Sequence, residues 1–230
     1  MIKFAVRALP IALLSLAATL AQADDVYGNT VRVGEYWVYY HASADNISGP
    51  YVPPGLNVDV HNVETPYLAY LRRLSPHFTV ELSFGIPPLT KTYGRGPATV
   101  GSVPYNGQYI SSARWFAPSL LLEYNLFDET HKIRPYIGVG VNYTMFYSRQ
   151  STAAGNAASG GPTSIDLPTS IGPAGTIGVA YHITPRWSAM ASFSAARVTT
   201  RLTANTAGLI RTSAINFGPE TLVAAVGFSF

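Results

Sequence analysis

The chain has 230 residues, of which 47% are hydrophobic and 12% aromatic but only 12% charged. Soluble domains carry roughly a quarter charged residues, so this surface is poorly suited to water. With no cysteine, disulfide scaffolds and thiolate metal sites are excluded. The net charge of +3 shrinks to near neutrality once Lys3 and Arg7 are set aside with the leader described next, and no basic face is left for nucleic acid.

Residues 1–23 read as a cleaved secretory signal. Lys3 and Arg7 give the positive start, residues 9–20 an apolar run, and Ala21-Gln22-Ala23 an Ala-x-Ala cleavage site before Asp24. The alternative, an uncleaved anchor, suits neither the short run nor its flanks. Residues 24–230 then form a single exported domain. Beyond the leader, no segment has the ~20 uninterrupted apolar residues of a membrane helix.

Period-two alternation fills that place. In chain order it predicts strands over 31–40, 58–71, 78–86, 116–126, 133–148, 176–182, 187–202 and 221–230. The fifth is the clearest. Ile133, Ile137, Val139, Val141, Tyr143, Met145 and Tyr147 share one face, with Arg134, Tyr136, Gly138, Gly140, Asn142 and Thr144 on the other. The first places Val31, Val33, Trp37 and Tyr39 outward but also Glu35, which is costly in lipid. In the seventh, a bulge near Ala195-Ala196 is expected to turn Arg197 and Arg201 inward.

The links alternate between tight turns at 74–77, 128–132 and 184–186 and long segments at 41–57, 91–113, 150–170 and 203–212. Short turns on one side and long loops on the other mark outer-membrane barrels, with the short side periplasmic. A domain linker is the alternative reading of 150–170. Unpaired backbone is not tolerated in hydrocarbon, so lipid-facing strands must close into a ring. The prediction is all-β: an eight-stranded antiparallel up-and-down transmembrane β-barrel, narrow enough for side chains to fill.

The stretch Arg134-Pro135-Tyr136-Ile137-Gly138-Val139-Gly140-Val141-Asn142-Tyr143-Thr144, preceded by Ala117-Pro118-Ser119-Leu120, resembles the outer membrane protein W (OmpW) family. Val80-Glu81-Leu82 with Pro87 downstream, and residues 175–187, resemble that family's third and sixth strands. Glu35 and residues 50–55 depart from it. The resemblance implies a multi-pass outer-membrane barrel that helps small hydrophobic molecules cross. It also implies that the terminal aromatics Phe228 and Phe230 are read by the barrel-assembly machinery.

Several residues are candidates for that work. Arg32, Glu81, Glu123, Asn125 and Arg134 face inward near the periplasmic end. Glu81, Glu123 and Arg134 are expected to pair as a charged floor that opposes a water pore. Nearer the outside, Tyr36, Val38, Trp115, Phe146 and, if register holds, Leu89 give an apolar lumen suited to a hydrophobic ligand; ordinary lumen filling is the plainer reading of both sets. Pro87 and Pro88 remove two ladder donors from one strand, so the wall is expected to part there and release solute sideways. Otherwise the pair merely starts a loop. The five histidines share no metal-ligand spacing, and no nucleophile–base pairing is visible, so no cofactor, metal or catalytic residue is assigned. The competing functions are a structural, receptor or adhesin barrel acting through its loops and, further off, a lipid-modifying hydrolase. The expected partners are outer-membrane lipid, a small hydrophobic solute and the assembly machinery, with a monomer as the default state.

Overall fold

A computed structural model describes residues 28–230; the signal segment read over residues 1–23 lies outside them. The strands run β1 (Asn29–Tyr40), β2 (Ser43–Ala44), β3 (Asn57–Val60), β4 (Val63–Arg73), β5 (Phe78–Gly85), β6 (Leu89–Arg95), β7 (Thr99–Val100), β8 (Val103–Pro104), β9 (Tyr109–Phe116), β10 (Ser119–Asn125) and β11 (Ile133–Ser151). Helix α1 (Ala153–Ser159) follows, then β12 (Thr163–Asp166), β13 (Ser170–His182), β14 (Trp187–Ala196), β15 (Thr199–Thr206), β16 (Leu209–Asn216) and β17 (Pro219–Ser229).

Eight of these strands close a barrel. Each is antiparallel to the next in the order β1, β4, β5, β10, β11, β13, β14, β17, and β17 pairs back onto β1. Alternation sets which side chains face where. On β11, Ile137, Val139 and Val141 are exposed outward, Val139 at 65%, whereas Arg134, Tyr136, Asn142 and Thr144 are buried inside. Aromatics ring the outside at both ends: Phe78, Tyr124, Tyr181 and Trp187 at the short-turn end, Tyr39, Tyr143 and Tyr147 at the other. The outer face of β1 carries Glu35, opposite Ala224 and Pro66.

The long segments are more ordered than the sequence suggested. Above the membrane belt the wall continues as two sheets, β3–β6–β9–β11 and β2–β16–β15–β12. Out of the bilayer neither face needs to be apolar, so within these sheets period-two alternation reached only β3 and the first half of β15, inside the strands predicted over 58–71 and 187–202, and the end of β11. Helix α1 lies within a stretch that reads as near low-complexity. Thr152 caps it by accepting from the Gly155 N–H, and Gly160 ends it at φ 85, a backbone that glycine adopts without strain.

Two facing assignments are corrected. The alternation of β14 carries through into β15, so Val198 is buried and Arg197 and Arg201 are exposed. No inverting bulge is needed, because the space that Val198 enters is itself apolar, with Val58, Val60, Ile215 and Phe217. Leu89 likewise points outward, 43% exposed. Odd residues face inward on β5 and even ones on β6, because the Pro87-Pro88 break shifts the parity by one.

Candidate functional site: a lumen divided by a charged septum

Arg32 lies between Gly227 on β17 and Ala69 on β4, whose small side chains leave its long stem free to cross the lumen. Its Nη1 donates to Glu81 Oε2 at 2.7 Å and stands 3.9 Å from Glu123 Oε1. The Tyr67 hydroxyl donates to the second Glu81 oxygen at 2.9 Å, and the Tyr136 ring centroid lies 5.5 Å from the guanidinium carbon. Glu123 is only 1% exposed. Tyr67, Ala69, Leu71, Tyr136, Met190 and Val223 pack around these charges as one cluster. This layer is a septum: paired charge and packed side chains lie between the lumen space above and the space below.

Arg134 does not join it, contrary to the expected pairing. Its Nε and Nη2 donate to the turn carbonyls of Phe127 and Pro76, at 3.3 and 3.0 Å. The register explains this. Glu123 stands opposite Gly138, so Arg134 is four residues, about 13 Å, nearer the turns. Asn125 also lies below the septum, donating to Thr79 Oγ1 at 3.2 Å. Both line a polar vestibule at the short-turn end, with Lys132, His131 and His182. In the turn beneath, the Thr130 hydroxyl, His131 and the Thr130 N–H hold the Asp128 carboxyl down at about 2.

Above the septum is an apolar cavity of about 90 Å³. Tyr36, Val38, Trp115 and Phe146 line it as the alternation indicated, and Leu89 does not. Trp115 is 7% exposed and its Nε1 donates to Thr90 Oγ1 at 2.9 Å, which fixes the ring against the wall. Phe217 stacks on Phe146 at 5.3 Å between centroids and narrows the upper end. Sequence reasoning gave no role to Tyr67, Tyr136 or Phe217. The inward parity of Tyr67 and Tyr136 was available but not their depth, and Phe217 lies between the long segment at 203–212 and the strand predicted over 221–230.

The wall beside this cavity is incompletely knit. Pairing of β5 with β10 stops at Ser83 opposite Ser119, and that of β6 with β9 starts at Leu89 opposite Arg114. On the other side, β4 and β5 part after Tyr67 opposite Gly85, and β3 and β6 resume at Val60 opposite Thr92. Residues 86–88 belong to no strand. The Ile86 N–H reaches the Pro66 carbonyl at 3.0 Å, and Arg114 Nη1 donates to the Pro87 carbonyl at 2.8 Å. Phe84 and Phe116 meet edge-on across the gap at 5.8 Å. Ser83, Trp115, Ala117 and Ser119 border both gap and cavity.

Among the described residues, no group of three or more acidic or histidine side chains is placed to hold a metal ion.

Comparison with known proteins places the architecture. Outer membrane protein W of Salmonella typhimurium is 29% identical over 121 residues, 53% of this chain and 56% of that protein. The chain thus aligns with little more than half the length of that relative. A Pseudomonas aeruginosa protein, "Dibenzothiophene metabolism operon protein PahQ", is 33% identical over 128 residues, covering 53% of this chain and 54% of its own. The crystal structure of the outer membrane protein OprG from Pseudomonas aeruginosa superposes with a TM-score of 0.79 over 89% of this chain and 96% of that one. At 20% identity that likeness speaks for the fold alone. The OmpW family model matches residues 29–230, the whole barrel and its extensions, and the chain belongs to the OmpW family of outer-membrane β-barrels.

Proposed function

We propose that this barrel passes small hydrophobic molecules across the outer membrane, entering from the long-loop end and leaving sideways through the wall at Pro87-Pro88. The short turns face the periplasm in this reading. The observation that carries it is the joint position of septum and gap. The apolar cavity meets a charged, packed floor on the direct route to the periplasm, yet borders a stretch of wall with little main-chain pairing. Unpaired backbone at membrane depth is tolerated where it lines a cavity, which this one does. Desolvating an apolar solute in such a cavity is favourable, and so is its release into lipid, whereas crossing the septum would break buried ion pairs.

The name of the PahQ relative associates that protein with dibenzothiophene metabolism, and a flat aromatic hydrocarbon is the solute class we propose here. Phe228 and Phe230 serve as the assembly signal in this proposal, the barrel works as a monomer, and no catalysis is involved.

Purified barrel in liposomes tests the transport. Entry of a fluorescent polycyclic hydrocarbon should exceed that into empty liposomes, while ion conductance stays at background. Hydrocarbon entry no faster than in empty liposomes would leave the loops as the working part. Conductance rising with protein content would mean that the septum is open.

A further inference from the structure

We infer that Lys91 and Arg114 form a binding site for the phosphate of an outer-leaflet lipid at the upper lip of the wall gap. The inference uses the membrane orientation given above but does not depend on transport.

Leu89 faces Arg114, and Lys91 faces Ser112, across β6 and β9. Lys91 and Arg114 are therefore diagonal neighbours on the outer face, their Cα atoms about 7–8 Å apart. Both are exposed. The row carrying Arg114 also holds Tyr147, exposed outward opposite it. Immediately below, the outer surface becomes apolar, with Ile86 and Leu82 exposed. The two cations thus stand one step above the hydrocarbon belt, the depth at which lipid phosphates lie.

Each cation has a resting contact. One guanidinium donor of Arg114 is spent on the Pro87 carbonyl at 2.8 Å, which leaves four of its five N–H groups to face outward. The Lys91 ammonium sits 5.6 Å from the Tyr109 ring centroid, a cation–π contact that steadies the stem. The acids on this outer face are Asp59, whose carboxylate stands 3.9 Å from His61, and Glu64, farther down on β4. Neither forms a salt bridge with Lys91 or Arg114. Tyr109 lies on the loop side of Lys91 and Pro87 on the membrane side of Arg114, so the two charged ends rest apart. Both exposed stems are long enough to swing onto one phosphate set between them, with charge-assisted hydrogen bonds from both.

Other outward cations at this height are placed differently. Arg149 is bound to Asp166 at 3.1 Å. Arg197 and Arg201 are four residues apart along one stave, about 13 Å, too far to share a phosphate. On the β1–β17 side the outer face carries Glu220, 3.5 Å from His41. The phosphate site is therefore at the gap, and a lipid anchored there would lay an acyl chain across its mouth.

Native mass spectrometry of the detergent-released barrel with added bisphosphorylated lipid A tests this. Wild type should hold one lipid, and K91Q/R114Q should hold it at least about tenfold more weakly, as losing a charge-assisted hydrogen bond implies. R197Q/R201Q should bind as wild type, and dephosphorylated lipid A should not bind. Because Arg114 also touches the Pro87 carbonyl, K91Q alone is included; it leaves that contact intact and should still weaken binding. Heat-modifiable migration checks the fold of each variant. Unchanged binding by a folded K91Q/R114Q, or an equal loss in R197Q/R201Q, would overturn the site. Displacement of the lipid by equimolar inorganic phosphate would overturn its assignment to a lipid.

Discussion

Arg32 faces two carboxyl groups across the septum, and among the described residues it makes the only short ionic contacts to them. Removing one partner of a buried ion pair typically costs about 3–5 kcal/mol, because the remaining charge stays desolvated. Arg32→Met should therefore lower barrel stability by about that amount. Arg134→Met gives up hydrogen bonds to two turn carbonyls, which a widening vestibule can replace with water, and should cost clearly less. Urea unfolding in lipid vesicles compares the two; equal midpoints would mean that the septum charges are solvated. The inward parity of Arg32, Glu81, Glu123 and Asn125 was legible in the sequence, because the alternation period is two. The ion pairing was not. Partners depend on the stagger between neighbouring strands, and nothing in a single strand's pattern states how far Arg134 sits below Glu123.

At the scale of the element, the third stave shows both what alternation reads and where it stops. Val80, Leu82 and Phe84 against Glu81 and Ser83 mark β5 without ambiguity. Pro87-Pro88 marks the break, since neither residue can donate to a ladder. What the pattern hides is the parity after the break, which put Leu89 outside. The same limit applies to β14 and β15, where alternation held straight through and a bulge was wrongly expected. Apolar residues there supply an interior rather than a lipid face, and hydrophobicity alone does not distinguish the two. Helix α1 left only a local trace: Thr152 as cap, a short alanine-rich run, and Gly160. Replacing Pro87 with Val restores a donor. Pro87→Val should extend the pairing of β5 or β6 towards a neighbour and slow hydrocarbon entry into liposomes several-fold, with heat-modifiable migration unchanged. Normal entry through a well-folded Pro87→Val barrel would remove the sideways route while leaving the cavity's contents open to other exits.

At the scale of the whole molecule, the barrel is closed by its own ends. β1 pairs with β17 from Thr30 opposite Ser229 to Tyr40 opposite Pro219. Below that ladder, Asn29 and Phe230 exchange backbone hydrogen bonds of 3.1 and 2.9 Å. Phe230 therefore has two separable parts, a ring exposed to the outside and a backbone that completes the closing seam. Phe230→Ala keeps the seam and discards the ring. It should reduce the yield of folded barrel in the outer membrane while refolding normally in detergent. Deleting Phe230 should impair both. A Phe230→Ala chain that reaches the outer membrane in wild-type amounts would remove the assembly-signal role.

The closing seam separates what the fold requires from what its manufacture requires. Asn29 and Phe230 lie side by side at the short-turn end, as the ends of any hairpin there do. A brief linker between them would turn the wall into an unbroken ring, and the chain could then be opened at one of the long loops instead. To the finished barrel the location of its ends is a matter of indifference, for every ladder would survive the change. If the chain is exported by its leader and read at its last aromatic ring, as proposed above, the cell is not indifferent: such a permuted chain would carry the same wall under an address that no longer stands at its end.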